Sequence, residues 1–165
     1  MVWASTRNDG VFSSSDGVAS WTHTSQGLVT VGQAGTGGYE DRPDFGVLRV
    51  SVEPADGRRT MLLAGFAGMF RSTDGGRSWH EVQTLSSRIL VGLAVSPDYA
   101  SDATVAIATY VDGAFLSGDH GETWQAMNDG LANPSPGGAT RLARLYGVAF
   151  SPSFAPLPST IWTFE

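Results

Sequence analysis

Short apolar runs follow one another along nearly the whole chain, each ended by a cluster of glycine, serine, proline or aspartate. Such runs, about four to six residues long and rich in β-branched or aromatic side chains, predict strands, and nothing in the pattern suggests a long amphipathic helix. The runs also repeat. Residues 91–110 read VGLAVSPDYASDATVAIATY, residues 146–165 read YGVAFSPSFAPLPSTIWTFE with no gap between the two, and residues 47–66, VLRVSVEPADGRRTMLLAGF, fall in the same frame. In the best-defined copy the pattern predicts four strands, at residues 92–96, 104–109, 114–117 and 123–127.

The third and fourth strands of each copy are joined by one recurring turn. It reads SSSDGVASW over residues 13–21, RSTDGGRSW over residues 71–79 and LSGDHGETW over residues 116–124. Asp16, Asp74 and Asp119 hold one offset from Trp21, Trp79 and Trp124, and each copy is introduced by a glycine, one apolar residue and Phe12, Phe70 or Phe115. An aspartate can accept hydrogen bonds from the amides of its own turn, and a glycine at Gly76 or Gly121 supplies a positive φ that a Cβ would penalise. Hydroxyls such as those of Ser78 and Thr123 add local hydrogen bonds, and the tryptophan returns a large apolar surface beneath the turn or between sheets.

Four antiparallel strands repeated about every 45 residues are a β-propeller blade, so the fold class is all-β, a propeller of four-stranded blades. The repeat divides the chain into a partial blade at 1–25, blades at 46–85 and 90–128, and the start of a further blade at 145–165, with connecting loops at 26–45 and 129–144. Residues 2–5 fit the second strand of a blade, residues 147–151 a first strand and residues 160–164 a second, about three and a half blades in all. A closed ring takes typically four to eight blades. Two expectations follow: the chain is a piece of a longer ring, or two copies pair head to tail, with residues 147–151 of one supplying the strand that the first blade of the other lacks.

The turn resembles the Asp-box, or BNR repeat, SxDxGx[ST]W, of sialidases, xyloglucanase-type glycoside hydrolases, sortilin-type receptors and photosystem II assembly propellers. Ser72, Asp74, Gly76 and Trp79 match it, as do Ser117, Asp119, Gly121 and Trp124; the first copy keeps Ser14, Asp16 and Trp21 but places Val18 where the glycine stands. The resemblance implies a bacterial-type propeller in which these residues are structural, with an extracellular or cell-envelope setting. Family membership alone does not choose an activity.

Composition narrows the partners. Charged residues make up only 16%, there are 21 glycines, and the net charge is −6 with basic residues scattered, which argues against a nucleic-acid surface. With no cysteine, disulfides and thiolate metal sites are excluded. No run approaches the ~20 apolar residues of a membrane-spanning helix, and the first residues lack the pattern of a signal peptide.

Chemistry must come from residues that do not repeat, on the rim opposite the boxes. Residues 32–46 carry Tyr39, Glu40 and Asp41, the residue types of glycosidase and sialidase sites, although neighbours on an extended chain point apart and a solvated loop accounts for them equally. Arg88, Arg141 and Arg144 precede first strands, near a propeller's central opening, where they would bind a carboxylate or sulfate, or else serve as solubilising charge. His23, His80 and His120 lack metal-site spacing, and Asp98 and Asp102 read as a turn before they read as calcium ligands. No metal and no cofactor is expected. The expected function is a noncatalytic repeat module presenting loops to a protein or glycan; the alternative is a piece of a sialidase-like or xyloglucanase-like hydrolase whose catalytic residues lie partly elsewhere.

Overall fold

The computed structural model describes residues 1–6, 9–28, 47–50, 60–66, 68–134 and 140–155, with 47–50, 133–134 and 140–141 described by backbone alone. Three antiparallel sheets follow one another in chain order. The first holds β1 (Val2–Ser5), β2 (Val11–Ser14) and β3 (Thr22–His23); the second holds β4 (Val47–Val50), β5 (Met61–Gly65), β6 (Gly68–Ser72) and β7 (His80–Glu81). The third holds β8 (Leu90–Val95), β9 (Val105–Thr109), β10 (Ala114–Ser117) and β11 (Gln125–Ala126), with a short helical turn α1 (Tyr99–Asp102) between β8 and β9. Strand order in each sheet is the chain order, the up-and-down meander of a propeller blade.

Pattern becomes packing most clearly on β5, which is buried at every position. Because successive side chains of a strand point to opposite faces, Met61 and Leu63 enter one core and Leu62 and Ala64 the other. The first core joins sheets one and two through Val11, Leu28, Phe70 and Trp79, with Trp3 packed against it. The second joins sheets two and three through Met69, Leu85, Leu93, Ile107, Phe115 and Trp124. A sheet covered on both faces reads as uniformly apolar, and MLLAG and VAIAT do so for this reason.

Three segments differ from the sequence-based expectations. Residues 147–151 form no strand. They match the β8 region in sequence, but a strand exists only through its ladder; here Gly147 and Val148 cross so close to Gly92 that a Cβ on Gly92 would stand 2.8 Å from the Gly147 Cα. Within the span expected to be a connecting loop, β12 (Ala132–Pro134) and β13 (Thr140–Leu142) pair as a two-stranded ribbon. The fourth strands are also shorter than expected, two residues in each sheet, because the turn ahead of them holds its own amides. The strand expected at residues 160–164 lies outside the described residues.

Candidate functional site

The repeated turn is built alike in all three sheets. The Asp74 Oδ1 accepts from the Ser72 hydroxyl at 2.8 Å and from the amides of Arg77 and Ser78 at 2.9 Å each, while its Oδ2 accepts from the Ser78 hydroxyl at 2.6 Å. The Ser72 hydroxyl in turn accepts from the Gly76 amide at 2.9 Å. Asp119 repeats this set with Ser117, Glu122 and Thr123, and the Gly121 amide donates to Ser117.

The divergent first copy folds the same way. Asp16 accepts from Ser14 and from both the amide and hydroxyl of Ser20, and the Val18 amide donates to the Ser14 hydroxyl at 3.0 Å. Each turn needs two consecutive residues of positive φ: Gly75 and Gly76, His120 and Gly121, Gly17 and Val18. Val18 therefore adopts φ 68° against the preference of a β-branched residue. His120 takes φ 61° but gains a partner, with its Nδ1 3.0 Å from the Tyr99 hydroxyl and its ring edge-on to that tyrosine.

These hydrogen bonds favour the charged carboxylates. For Asp16 the Ser20 hydroxyl and amide, followed by the Ser14 hydroxyl, lower the pKa from 3.8 to about 2. Burial of Asp74 opposes ionisation, yet donation from Ser78, Ser72 and Arg77 outweighs it and brings Asp74 to about 2. Asp119 is lowered by the same balance, burial working against donation from Thr123, Ser117 and Glu122. Carboxylates held this firmly ionised, with their oxygens filled by their own turn, have little capacity for general acid chemistry.

The tryptophans that close the turns are not equivalent. Trp79 is 2% exposed and Trp124 is 7% exposed, each wedged against the preceding sheet, whereas Trp21 is 45% exposed. Phe70 and Phe115 are buried, and Phe12 is half-buried with its ring against His23.

On the opposite rim, the turn between β9 and β10 gathers the chemistry that does not repeat. The Thr109 hydroxyl accepts from the Asp112 amide and donates to the Gly113 carbonyl, both at 2.8 Å, which fixes residues 110–113. The Tyr110 amide donates to the Ile89 carbonyl and ties this turn to the start of β8. Beside it the Arg88 Nη1 lies 2.9 Å from the Asp112 Oδ2, and the same guanidinium covers the Phe115 ring. Arg144 lies over the Tyr110 ring, 5.3 Å from its centroid, and Tyr146 meets Tyr110 edge-on at 5.9 Å. Tyr146 is 75% exposed, and Phe66, Ile89 and Val111 are further exposed apolar side chains in the rim turns.

Two of the three candidate arginines thus flank one turn, but neither is a bare cation: Arg88 is paired with Asp112, and Arg144 is stacked on Tyr110. The backbone of Arg141 lies in β13 opposite Asn133, and its side chain is outside the described part. Tyr39, Glu40 and Asp41 lie outside the described residues. Among those described, no group of three His, Asp or Glu side chains is placed to hold a metal. His23 instead bonds the Asp9 carbonyl, and Asp102 accepts from Ser96 and Thr104 to close its turn. Sequence reasoning did not single out Tyr110, Asp112 or Tyr146. The available signal was an unrepeated tyrosine just before a turn glycine, in TYVDG.

A scan against protein-family models finds no match, and neither does a search of curated proteins. Among solved structures, the fold is similar to that of an ancestral GH74 enzyme, with a TM-score of 0.56 and 17% sequence identity. The likeness covers 74% of this chain and 16% of that one, so the chain spans a small fraction of that protein's length. At this identity the likeness establishes a propeller-like fold.

Proposed function

We propose that the chain is a noncatalytic propeller module of the Asp-box type that presents the rim around the β9–β10 turn to a glycan. The observation that carries this reading is the exposed Tyr146, braced edge-on by Tyr110 while Arg144 covers the Tyr110 ring. An aromatic ring presented at the surface offers a flat apolar face to a sugar ring, and the neighbouring guanidinium and phenol supply directional hydrogen bonds. A peptide partner would use the same rim through Phe66, Ile89 and Val111. Affinity electrophoresis through gels containing soluble polysaccharides, xyloglucan among them, tests the reading. Retardation of the native chain, and its loss in Tyr146→Ala, is the expected result; equal mobility with and without every polysaccharide overturns it.

A second reading, a piece of a xyloglucanase-like hydrolase, is supported by the likeness in fold to a GH74 enzyme. On that reading the rim is one part of a longer substrate cleft, completed by residues elsewhere in a larger protein.

A further inference from the structure

The joint between the first two sheets has a defined donor and a defined receptor. The donor is the Trp79 turn; the receptor is the segment Thr24, Ser25, Gln26, Gly27 and Leu28 that leaves the first sheet. The Trp79 amide donates to the Gln26 carbonyl at 2.8 Å, and its indole N–H donates to the Thr24 carbonyl at 3.0 Å. Leu28 is buried beneath the indole's cluster. Gly27 has φ 87° and passes so close that a Cβ there would overlap the Trp79 carbonyl oxygen, at 2.1 Å.

The same receptor is built a second time, at Met127, Asn128, Asp129, Gly130 and Leu131. The Met127 amide donates to the Ala114 carbonyl as Thr24 does to Val11, and the Leu131 amide donates to the Asn128 carbonyl as Leu28 does to Ser25. The Asn128 Oδ1 accepts from the Ala114 amide where the Ser25 hydroxyl accepts from Val11, both at 2.9 Å. Gly130 repeats the positive φ, at 78°. A Cβ on Gly130 would meet nothing within 4 Å, and Leu131 is only half-buried. Among the described residues nothing fills this receptor. In the first sheet a donor of similar construction, the Trp21 turn, stands exposed, as do Val2 and Val18.

We infer that these two surfaces are complementary and that a second copy of this chain fills each: the Trp21 turn of one copy docks on the 127–131 segment of the other. The Trp21 amide then donates to the Asp129 carbonyl and its indole to the Met127 carbonyl, as Trp79 does within the chain. Each contact joins the first sheet of one copy to the third sheet of the other, and two such contacts pair two copies about a two-fold axis. This joint is the one already seen inside the chain, and it needs no strand from residues 147–151. It is independent of whether the rim binds a glycan.

Sedimentation equilibrium on the 165-residue chain, from micromolar to submillimolar concentration, tests the inference through the mass relative to 17.4 kDa. The expected result is a reversible dimer. Trp21→Ala and Gly130→Asn, the latter placing a side chain in the receptor in a residue that tolerates positive φ, should each yield a monomer with an unchanged circular-dichroism spectrum. Mixing the two variants should restore a dimer, because each keeps the surface that the other has lost. A native chain that stays monomeric throughout overturns the inference, as does a dimer that survives both substitutions or variants whose mixture does not associate.

Discussion

The indole N–H of Trp79 donates to the backbone carbonyl of Thr24 across the boundary between two sheets, at 3.0 Å. One residue thereby closes its own turn and fixes the neighbouring sheet. Trp124 fills the equivalent wedge between sheets two and three, although its indole bonds the Gly121 carbonyl of its own turn.

Truncating the buried wedge should be costly. Trp79→Ala removes a fully packed indole and is expected to destabilise by about 3–5 kcal/mol. Trp21→Ala, measured at a concentration low enough to keep copies apart, should cost no more than about 0.5 kcal/mol because the ring is largely in water. Urea unfolding of the two variants side by side checks the contrast; equal losses would mean that the wedge is not what joins the sheets.

Val18 offers the opposite experiment. It holds φ 68° in a turn whose other copies place glycine there, so Val18→Gly should stabilise the chain by about 1 kcal/mol, the relief of left-handed strain exceeding the added chain entropy. The reciprocal change, Gly76→Val, should destabilise by more than that, since a Cβ there would lie 2.9 Å from the Met61 Sδ and 3.3 Å from the Trp3 Nε1. Thermal melts moving in the same direction for both would refute the argument.

What the sequence made legible was local. The turn could be read because serine, aspartate, glycine and tryptophan at fixed spacing satisfy one another within nine residues, and β5 and β9 could be read because both their faces are buried, with β6 buried at all but one position. Residues 147–151 were misread for the same reason: GVAF has a strand's composition, but pairing depends on an open neighbour, and composition does not reveal one. The cluster of Arg88, Asp112, Tyr110, Arg144 and Tyr146 was hidden because it joins residues from three separate segments. Positive φ at Val18 was hidden too, since nothing in SSSDGVASW announces that the turn keeps its geometry without the usual glycine.

Acid should act through the three turn aspartates. Asp16 and Asp74 have folded pKa values of about 2 against an ordinary 3.8, and Asp119 is displaced in the same direction. A depressed carboxylate contributes stability that is fully present above its unfolded value and is lost as pH falls through its folded value. Urea midpoints should therefore change little through this linkage above about pH 5 and fall between about pH 4 and pH 2. Asp74→Asn should lower the midpoint at neutral pH and flatten part of the acid slope. An unchanged slope would show that other groups govern acid sensitivity.

Hydrolysis separates the two functional readings. Most glycoside hydrolases cleave with two carboxyl groups about 5–9.5 Å apart, one able to give a proton and one to act as nucleophile or base. On the described rim the Asp112 carboxylate is engaged by Arg88 at 2.9 Å, an arrangement that occupies an oxygen a sugar would need. The turn aspartates are committed to their own amides on the other rim. A binding module should be retarded by polysaccharide in a gel yet release no reducing ends from it and no phenol from aryl glycosides, even at high protein concentration. Arg88→Met should leave that inactivity unchanged and cost at most about 1 kcal/mol of stability, as expected for an exposed ion pair. Reproducible turnover that disappears in Glu40→Gln would replace the module with the hydrolase and move the site to the loop of residues 32–46.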